Sequence, residues 1–325
     1  MTMKNRIAII GTGRISCAMI DAINESSNGE VIGIWGRRYH CTKKLAKDKG
    51  VSKAYRSLGD AYEDEELDTV YIATPNAYHY EHAMKAIEHG KNVIVEKTAF
   101  MTVEQANRVF HAADKQNVFV FEAIQSIYEP NFRILESVIK KAGKIHGATL
   151  KYQNYTKQYL ALLNGEKAPL FDENHGGGTL RTIGIYPIYA ALQLFGVPVN
   201  SYYFKQMNVE KMDLGGTLIF EYKEFNLTML ISKIHLTCDS ISEIYGEEGT
   251  VRLHSLYKIR KISFHNLKNN TEETLSIPIK ENSLIYEITE LSEWILTKNK
   301  TAYREQKNLT LKAIAIIEKA LNGGT

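Results

Sequence analysis

A chain of 325 residues exceeds the roughly 100–200 residues of one ordinary domain, so two compact cores are expected, and 44% hydrophobic with 24% charged residues excludes disordered and fibrous classes. The 40 Lys and Arg against 37 Asp and Glu leave a net charge of only +3, with no basic block interleaved with aromatics, so nucleic acid is not an expected partner. No run approaches the roughly 18 apolar residues of a membrane span, and Cys17, Cys41 and Cys238 are scattered without C-x-x-C spacing, as expected of reduced thiols in a cytoplasmic protein rather than of disulfides or zinc.

In chain order, Ile7–Ile10 is a short apolar run that reads as a strand, and it leads directly into Gly11-Thr12-Gly13-Arg14-Ile15-Ser16 at the start of a helical stretch. An apolar start that turns so soon on glycine is not expected to be a signal peptide. Alone, this G-x-G-x-x-S loop is a weak signal. Between a strand and a helix it is suited to a dinucleotide: Gly11 permits the tight turn and Gly13 leaves room for a pyrophosphate on backbone N–H groups at the positive end of the helix. Ser16 is small enough for the position where helix and strand pack closely, and Thr12, Arg14 and Ile15 complete the candidate loop. Val31–Trp35 reads as the second strand. An NAD site usually has an acidic residue there for the ribose 2′-hydroxyl, but here Gly36 is followed by Arg37, Arg38 and Tyr39. Two guanidinium groups suit a 2′-phosphate, so NADP(H) is the preferred cofactor and NAD(H) the alternative; solvated surface arginines are the bland reading.

Val70–Ala73, Val93–Val95 and Val118–Phe121 continue the strand series, with helical spacing over Tyr78–His89 and Val103–Gln116. The alternation predicts an open, doubly wound parallel sheet of the Rossmann type over residues 1–122. Ala73-Thr74-Pro75-Asn76-Ala77-Tyr78-His79 and Glu96-Lys97-Thr98 both leave the carboxyl edge, where ligands of such sheets bind. Thr74 and Asn76 also fit ordinary turn and capping roles. A lysine at that edge, beside a cationic nicotinamide, could have its pKa drawn down enough to exchange a proton, whereas an ordinary strand-end lysine reaches into solvent. His79 and His82 sit three apart on a helix but lack a third ligand at suitable spacing, so no metal is expected.

After Glu122 the texture changes to that of an α+β domain over residues 123–325 with a large, mainly antiparallel sheet. Asn131–Ala142 reads as a helix, and Ile145–Tyr155, Thr217–Tyr222, Leu227–Leu236 and Thr250–Ser255 as strands. Gly215-Gly216, Lys223-Glu224 and Gly246-Glu247-Glu248-Gly249 read as hairpin turns. Gly176-Gly177-Gly178 reads as a glycine-lined loop entering a helix that continues to about Phe195, suited to close backbone approach of a ligand; His175 could touch substrate or be a solvated neighbour, and Arg181 and Thr182 are further candidate substrate residues. Ser283–Leu296 and Lys307–Leu321 close the chain as helices able to pack back on the first domain.

These segments resemble the Gfo/Idh/MocA family of NAD(P)-dependent oxidoreductases over the whole chain. The resemblance is carried by GTGRIS, ATPNAYHYEHAMKAIEHGKNVIVEK, GGGTLRTIGIY and GEEGTVRL. FVFEAIQSIYEPNF and IGIY are most similar to its dimeric dihydrodiol dehydrogenase branch, which prefers NADP and uses a tyrosine. The resemblance implies that Lys97 is the lysine of the E-K-P signature, with Thr98 in place of the proline. Tyr186 then stands for the histidine of D-x-G-x-H, with Thr182 in place of its aspartate. It places Thr74, Pro75, Asn76, His79, Glu96 and Glu122 around the cofactor with Lys97 and Tyr186 handling the proton. It further implies hydride transfer to or from a small hydroxyl or carbonyl substrate (sugar, polyol or dihydrodiol-like) and a homodimer formed through the second-domain sheet. A nucleotide-binding sensor that turns over nothing and a reductase of an imine or conjugated pigment are the alternatives.

Overall fold

The structure is a computed structural model that describes residues 3–207, 212–235 and 240–323; Cys238 and the last residue of the expected strand Leu227–Leu236 lie outside the described residues. The chain divides into two compact units: Met1–Ala123 with Lys280–Ile314, and Ile124–Ile279 with Ala315–Thr325.

In the first unit the order is β1 (Asn5–Ile10), α1 (Arg14–Glu25), β2 (Gly29–Trp35), α2 (Tyr39–Lys49), β3 (Lys53–Ala54) and α3 (Leu58–Tyr62). Then come β4 (Thr69–Ile72), α4 (His79–Glu88), β5 (Asn92–Glu96), α5 (Val103–Gln116) and β6 (Val120–Ala123). The six strands lie in the order β3-β2-β1-β4-β5-β6, and every neighbouring pair is parallel. Ile7, Ala8, Ile9 and Ile10 are fully buried, as are Val70, Ile72, Val93 and Val95, which is why these runs are apolar at every position rather than at alternate ones. Helix boundaries follow local chemistry: Thr102 accepts a hydrogen bond from Gln105 N at the start of α5, and Gly50 closes α2 in the left-handed region. The register sets Ile10 beside Trp35 and Ile72, Ile72 beside Val95, and Val95 beside Glu122, so the segments after β1, β2, β4, β5 and β6 leave one edge.

In the second unit, α6 (Pro130–Lys141) precedes β7 (Ile145–Gln153), α7 (Lys157–Leu163) and α8 (Ile185–Phe195). The remaining strands are β8 (Asn200–Met207), β9 (Asp213–Glu221), β10 (Asn226–Ser232), β11 (Ile241–Gly246), β12 (Gly249–His254), β13 (Lys261–Asn266) and β14 (Thr271–Thr274). They form an eight-stranded sheet in the order β14-β13-β12-β11-β7-β10-β9-β8, antiparallel except where β7 and β10 run parallel. The turns at Lys223-Glu224 and Gly246–Gly249 occur as expected. Gly215-Gly216 does not turn: it lies inside β9, where a Cβ on Gly216 would stand 2.5 Å from Phe204 O and one on Gly215 2.7 Å from Ile231 O. Close backbone approach across the sheet, not reversal of the chain, accounts for this glycine pair.

The chain then returns. Helix α9 (Leu284–Leu296) packs on α1, β1 and β2, and α10 (Lys300–Leu321) ends the fold. Of the two closing helices expected at Ser283–Leu296 and Lys307–Leu321 and read as able to pack back on the first domain, the first lies wholly in the first unit, and the second is divided after Ile314. Within that unit Asn5 ties three elements together, accepting from the Thr69 hydroxyl at 2.6 Å and donating to Ser292 Oγ at 3.2 Å.

Candidate active site

The nucleotide loop is shaped by Gly11, whose φ of +134° and whose hypothetical Cβ, 2.5 Å from Ala73 O, exclude any side chain. Gly11 N donates to Trp35 O and Ala73 N to Ile10 O, each at 2.8 Å, so the turn is fixed to the ends of β2 and β4. Gly13 is the residue that caps α1, without any side-chain hydrogen bond, and α1 has no acidic residue in its first turn. A Cβ on Gly13 would meet nothing within 4 Å. Open space over uncapped amide groups at a helix N-terminus fits the pyrophosphate of a dinucleotide. Thr12 lies under Gly36, Ile15 is half-buried and Arg14 is exposed at the head of α1.

At the end of β2, Arg37 and Arg38 are exposed, and Arg38 is the capping residue of α2, which has no acidic residue in its first turn. A guanidinium not anticipated from sequence stands over the residue that follows Arg38: Arg56 lies 4.5 Å from the centre of the Tyr39 ring. Its signal was hidden because β3, which delivers it, is only two residues long.

Beyond β4, Asn76 opens a short 3-10 turn, Pro75 is exposed and the Thr74 hydroxyl lies 3.2 Å from His82 Nδ1. His79, expected among the cofactor-binding residues, lies between two backbone segments. It is fully buried, with Nδ1 3.0 Å from Thr98 O and Nε2 2.8 Å from Thr74 O. Burial pulls its pKa down to about 4, against the pull of those backbone oxygens, so the ring is neutral and donates to one of the two according to its tautomer. His79 therefore joins the segment after β4 to the segment after β5. His82, its proton affinity also lowered by burial, packs between Trp35 and Tyr78. No group of three His, Cys, Asp or Glu able to hold a metal occurs among the described residues.

Lys97 follows the last residue of β5, and the Lys97–Thr98 peptide is cis. Burial lowers its pKa below the usual 10.5, opposed by Glu96 and Glu122. Glu122 is buried at the end of β6 and accepts a hydrogen bond from Ala99 N at 2.8 Å. Glu96 accepts one from the Tyr71 hydroxyl, and burial raises its pKa, opposed by Lys97 and by that hydrogen bond. Both glutamates, expected to line the cofactor, are the counter-charges of Lys97.

In the second unit, Leu180–Gly184 forms a turn of π-helix that runs into α8. The Thr182 hydroxyl donates to Gly178 O at 2.7 Å, and His175 pairs with Asp172 at 2.7 Å. The residue that organises this segment was missed from sequence: Asp213 Oδ2 accepts from Leu180 N at 2.6 Å and from the Tyr203 hydroxyl at 3.1 Å. Burial pushes Asp213 up to about 6, opposed by those hydrogen bonds and by Arg181. Its signal was an acid at an inward position of a strand that the sequence reading began four residues too late. Burial lowers the proton affinity of Arg181, with Asp213, Glu173 and Glu318 opposing. Tyr186 is buried on α8 with its ring edge-on to Tyr152 and Tyr257, at 5.4 and 5.3 Å between centres.

A six-stranded parallel sheet with this glycine loop and a lysine at the same edge defines a Rossmann-type oxidoreductase. Residues 5–124 match the Gfo/Idh/MocA profile of the Oxidoreductase family, NAD-binding Rossmann fold. It is 28% identical over 320 residues, 97% of this chain and 95% of the relative, to scyllo-inositol 2-dehydrogenase (NADP(+)) of Bacillus subtilis (strain 168). To an uncharacterized oxidoreductase of Escherichia coli (strain K12) it is 28% identical over 284 residues, 87% and 85% of the two chains. Its fold is similar to that of a 3-ketoreductase from Actinomadura kijaniata, with a TM-score of 0.86 at 18% identity over 99% of this chain and 98% of the other.

Proposed function

We propose that the chain is an NADP(H)-preferring dehydrogenase or reductase that acts on a small sugar, polyol or dihydrodiol-like substrate, with Lys97 and Tyr186 handling the proton. The observation that carries the reading is Lys97, a lysine of lowered pKa at the same sheet edge as an uncapped glycine loop. The relative named scyllo-inositol 2-dehydrogenase (NADP(+)) supports both the polyol class and the phosphorylated cofactor.

Bound nicotinamide would supply the hydride donor or acceptor. The chain's own contributions begin with the loop Gly11–Ile15, whose backbone holds the pyrophosphate at the head of α1. Arg37 and Arg38, with Arg56, take the 2′-phosphate. In reduction the Lys97 ammonium gives a proton to the substrate oxygen, and in oxidation the neutral amine removes one. Tyr186 is the second proton-transfer group; a free phenol loses its proton only near pH 10, so it acts as a base only when a cation stabilises the phenolate.

Lys97→Met and Tyr186→Phe are each expected to reduce turnover by about 100-fold or more with NADP(H) affinity, followed by fluorescence titration, retained. Near-normal turnover in either variant removes that residue from the proposed pair. Arg37→Asp is expected to raise the KM for NADP(H) far more than that for NAD(H), and equal increases would overturn the cofactor preference.

A further inference from the structure

The helix that carries Tyr186 begins irregularly. Leu180–Gly184 is a turn of π-helix, which takes in one residue more than a turn of α-helix, and Ile185–Phe195 continues from it as α8. One extra residue rotates everything beyond it by about 100° around the helix axis. The turn therefore decides that the Tyr186 ring meets Tyr152 of β7 and Tyr257, edge-on to both, rather than facing another side of the helix. What holds the turn is a carboxylate from a distant strand. Asp213, the first residue of β9, is 4% exposed, and its Oδ2 accepts at 2.6 Å from Leu180 N, one of the amides that the start of a helix leaves without an internal partner. Negative charge at that position is also favoured by the helix dipole. The Tyr203 hydroxyl of β8 donates to the same oxygen at 3.1 Å and fixes it. Two glycines are fitted to this arrangement: a Cβ on Gly178, whose φ is +102°, would collide with Asp213 Oδ1, and one on Gly184 would stand 2.8 Å from Leu180 Cδ1.

We propose that Asp213 is a positioning residue for Tyr186: by capping Leu180 N it holds the π-helical turn that sets the Tyr186 ring against Tyr152 and Tyr257. It acts through the backbone of one helix and touches no substrate. The titratable and charged groups around the carboxyl are Tyr203 from β8 and Arg181 from the turn itself, with Glu173 and Glu318 acting on Arg181, and Lys233, whose N–H donates to Leu214 O at 3.1 Å. Burial brings Asp213 to a pKa of about 6, so protonation below that pH replaces a charge-assisted hydrogen bond by a weaker neutral one and loosens the turn. Asp213→Asn reproduces the protonated form at every pH, since it keeps an acceptor oxygen and loses the charge.

The inference rests on Tyr186 as a proton-transfer group, but its test does not require turnover. In the full-length protein, fluorotyrosine incorporated at position 186 reports the surroundings of the ring by fluorine NMR. In the native chain its resonance is expected to shift as pH falls through about 6. In Asp213→Asn the resonance should lie at the native acid limit and lose that titration. In Asp213→Leu, which offers Leu180 N no acceptor, it should be displaced further. Fluorotyrosine at position 245, on β11 of the same sheet, should keep its native resonance in both variants. A Tyr186 resonance that is the same in all three proteins, or that titrates alike in the native chain and Asp213→Asn, would overturn the proposal. Displacement of both the Tyr186 and the Tyr245 resonances would also overturn it, because Asp213 would then support the sheet as a whole. Normal turnover in Tyr186→Phe would instead remove the proton-transfer role of Tyr186 and leave the resonance result standing.

Discussion

Lys97 ties burial to chemistry at the level of a single side chain. Its pKa lies below 10.5 because burial disfavours the ammonium, so the proton is lost at lower pH than from a solvated lysine. With Lys97 in its proposed role, carbonyl reduction needs the ammonium and should decline as pH rises through that lowered value, whereas alcohol oxidation needs the amine and should increase over the same interval. Opposite limbs for the two directions, both absent from the residual activity of Lys97→Met, are the expected pH profiles; limbs of the same sign would rule out Lys97 as their source. Asp213 is the corresponding case for stability. Its pKa stands at about 6 against 3.8, so the folded chain binds this proton more tightly than the unfolded one. Stability therefore falls as pH rises from about 4 to about 6 and is flat above, a change on the order of 3 kcal/mol for the full displacement. Asp213→Asn cannot titrate, and urea unfolding should show it gaining on the native chain by an amount of that order between pH 4 and pH 7. A constant difference over that range would contradict the charge-burial explanation.

At the level of elements, the β1-loop-α1 unit separates folding from binding in two glycines on either side of Thr12. Gly11→Ala places a Cβ 2.5 Å from Ala73 O at a φ of +134°, and should destabilise the first unit by several kcal/mol, on the order of 3. Gly13→Ala meets nothing within 4 Å and should unfold at nearly the native temperature. Its methyl group occupies the space over the helix amides, so NADP(H) affinity should fall by about tenfold or more; retained affinity would place the pyrophosphate elsewhere. This unit was legible in the sequence because buried parallel strands are apolar at every position and the glycine loop interrupts them at a fixed place. The second sheet was less legible. The strands β8, β11, β13 and β14 were not anticipated: Tyr202, Lys205 and Gln206, or Thr271-Glu272-Glu273-Thr274, offer no apolar alternation because one or both faces of those strands are exposed. Gly215-Gly216 mimicked a turn because the residue types that reverse a chain are also those that let two backbones approach. At the site, Lys97 and the glycine loop could be read from type and position, whereas Asp213 and Arg56 are defined by partners or neighbours distant in sequence, and His79 by two carbonyls that no motif announces.

For the whole molecule, the eight-stranded sheet raises the question of what covers its second face. On one face Leu218, Phe220, Leu227, Met229, Ile231, Ile244, Val251 and Leu253 are buried almost completely. The alternate positions form a continuous patch: Phe204 pairs with Thr217, which pairs with Leu230, and Tyr202 pairs with Ile219, which pairs with Thr228. Phe204 is 65% exposed and Tyr245, at the same face of β11, is 38% exposed. This patch of Phe204, Tyr202, Ile219 and Leu230, flanked on the same face by Lys151, Glu243 and Arg252, is of the kind that two copies can cover by meeting about a twofold axis. The homodimer expected from the sequence is therefore proposed to form here. Sedimentation equilibrium at micromolar concentration should give twice the chain mass. Phe204→Asp, a change at an exposed strand position that should alter the stability of the isolated fold by less than about 0.5 kcal/mol, should give a folded monomer. A native chain that sediments as a monomer, or a Phe204→Asp variant that remains dimeric, would show that this face has a different role.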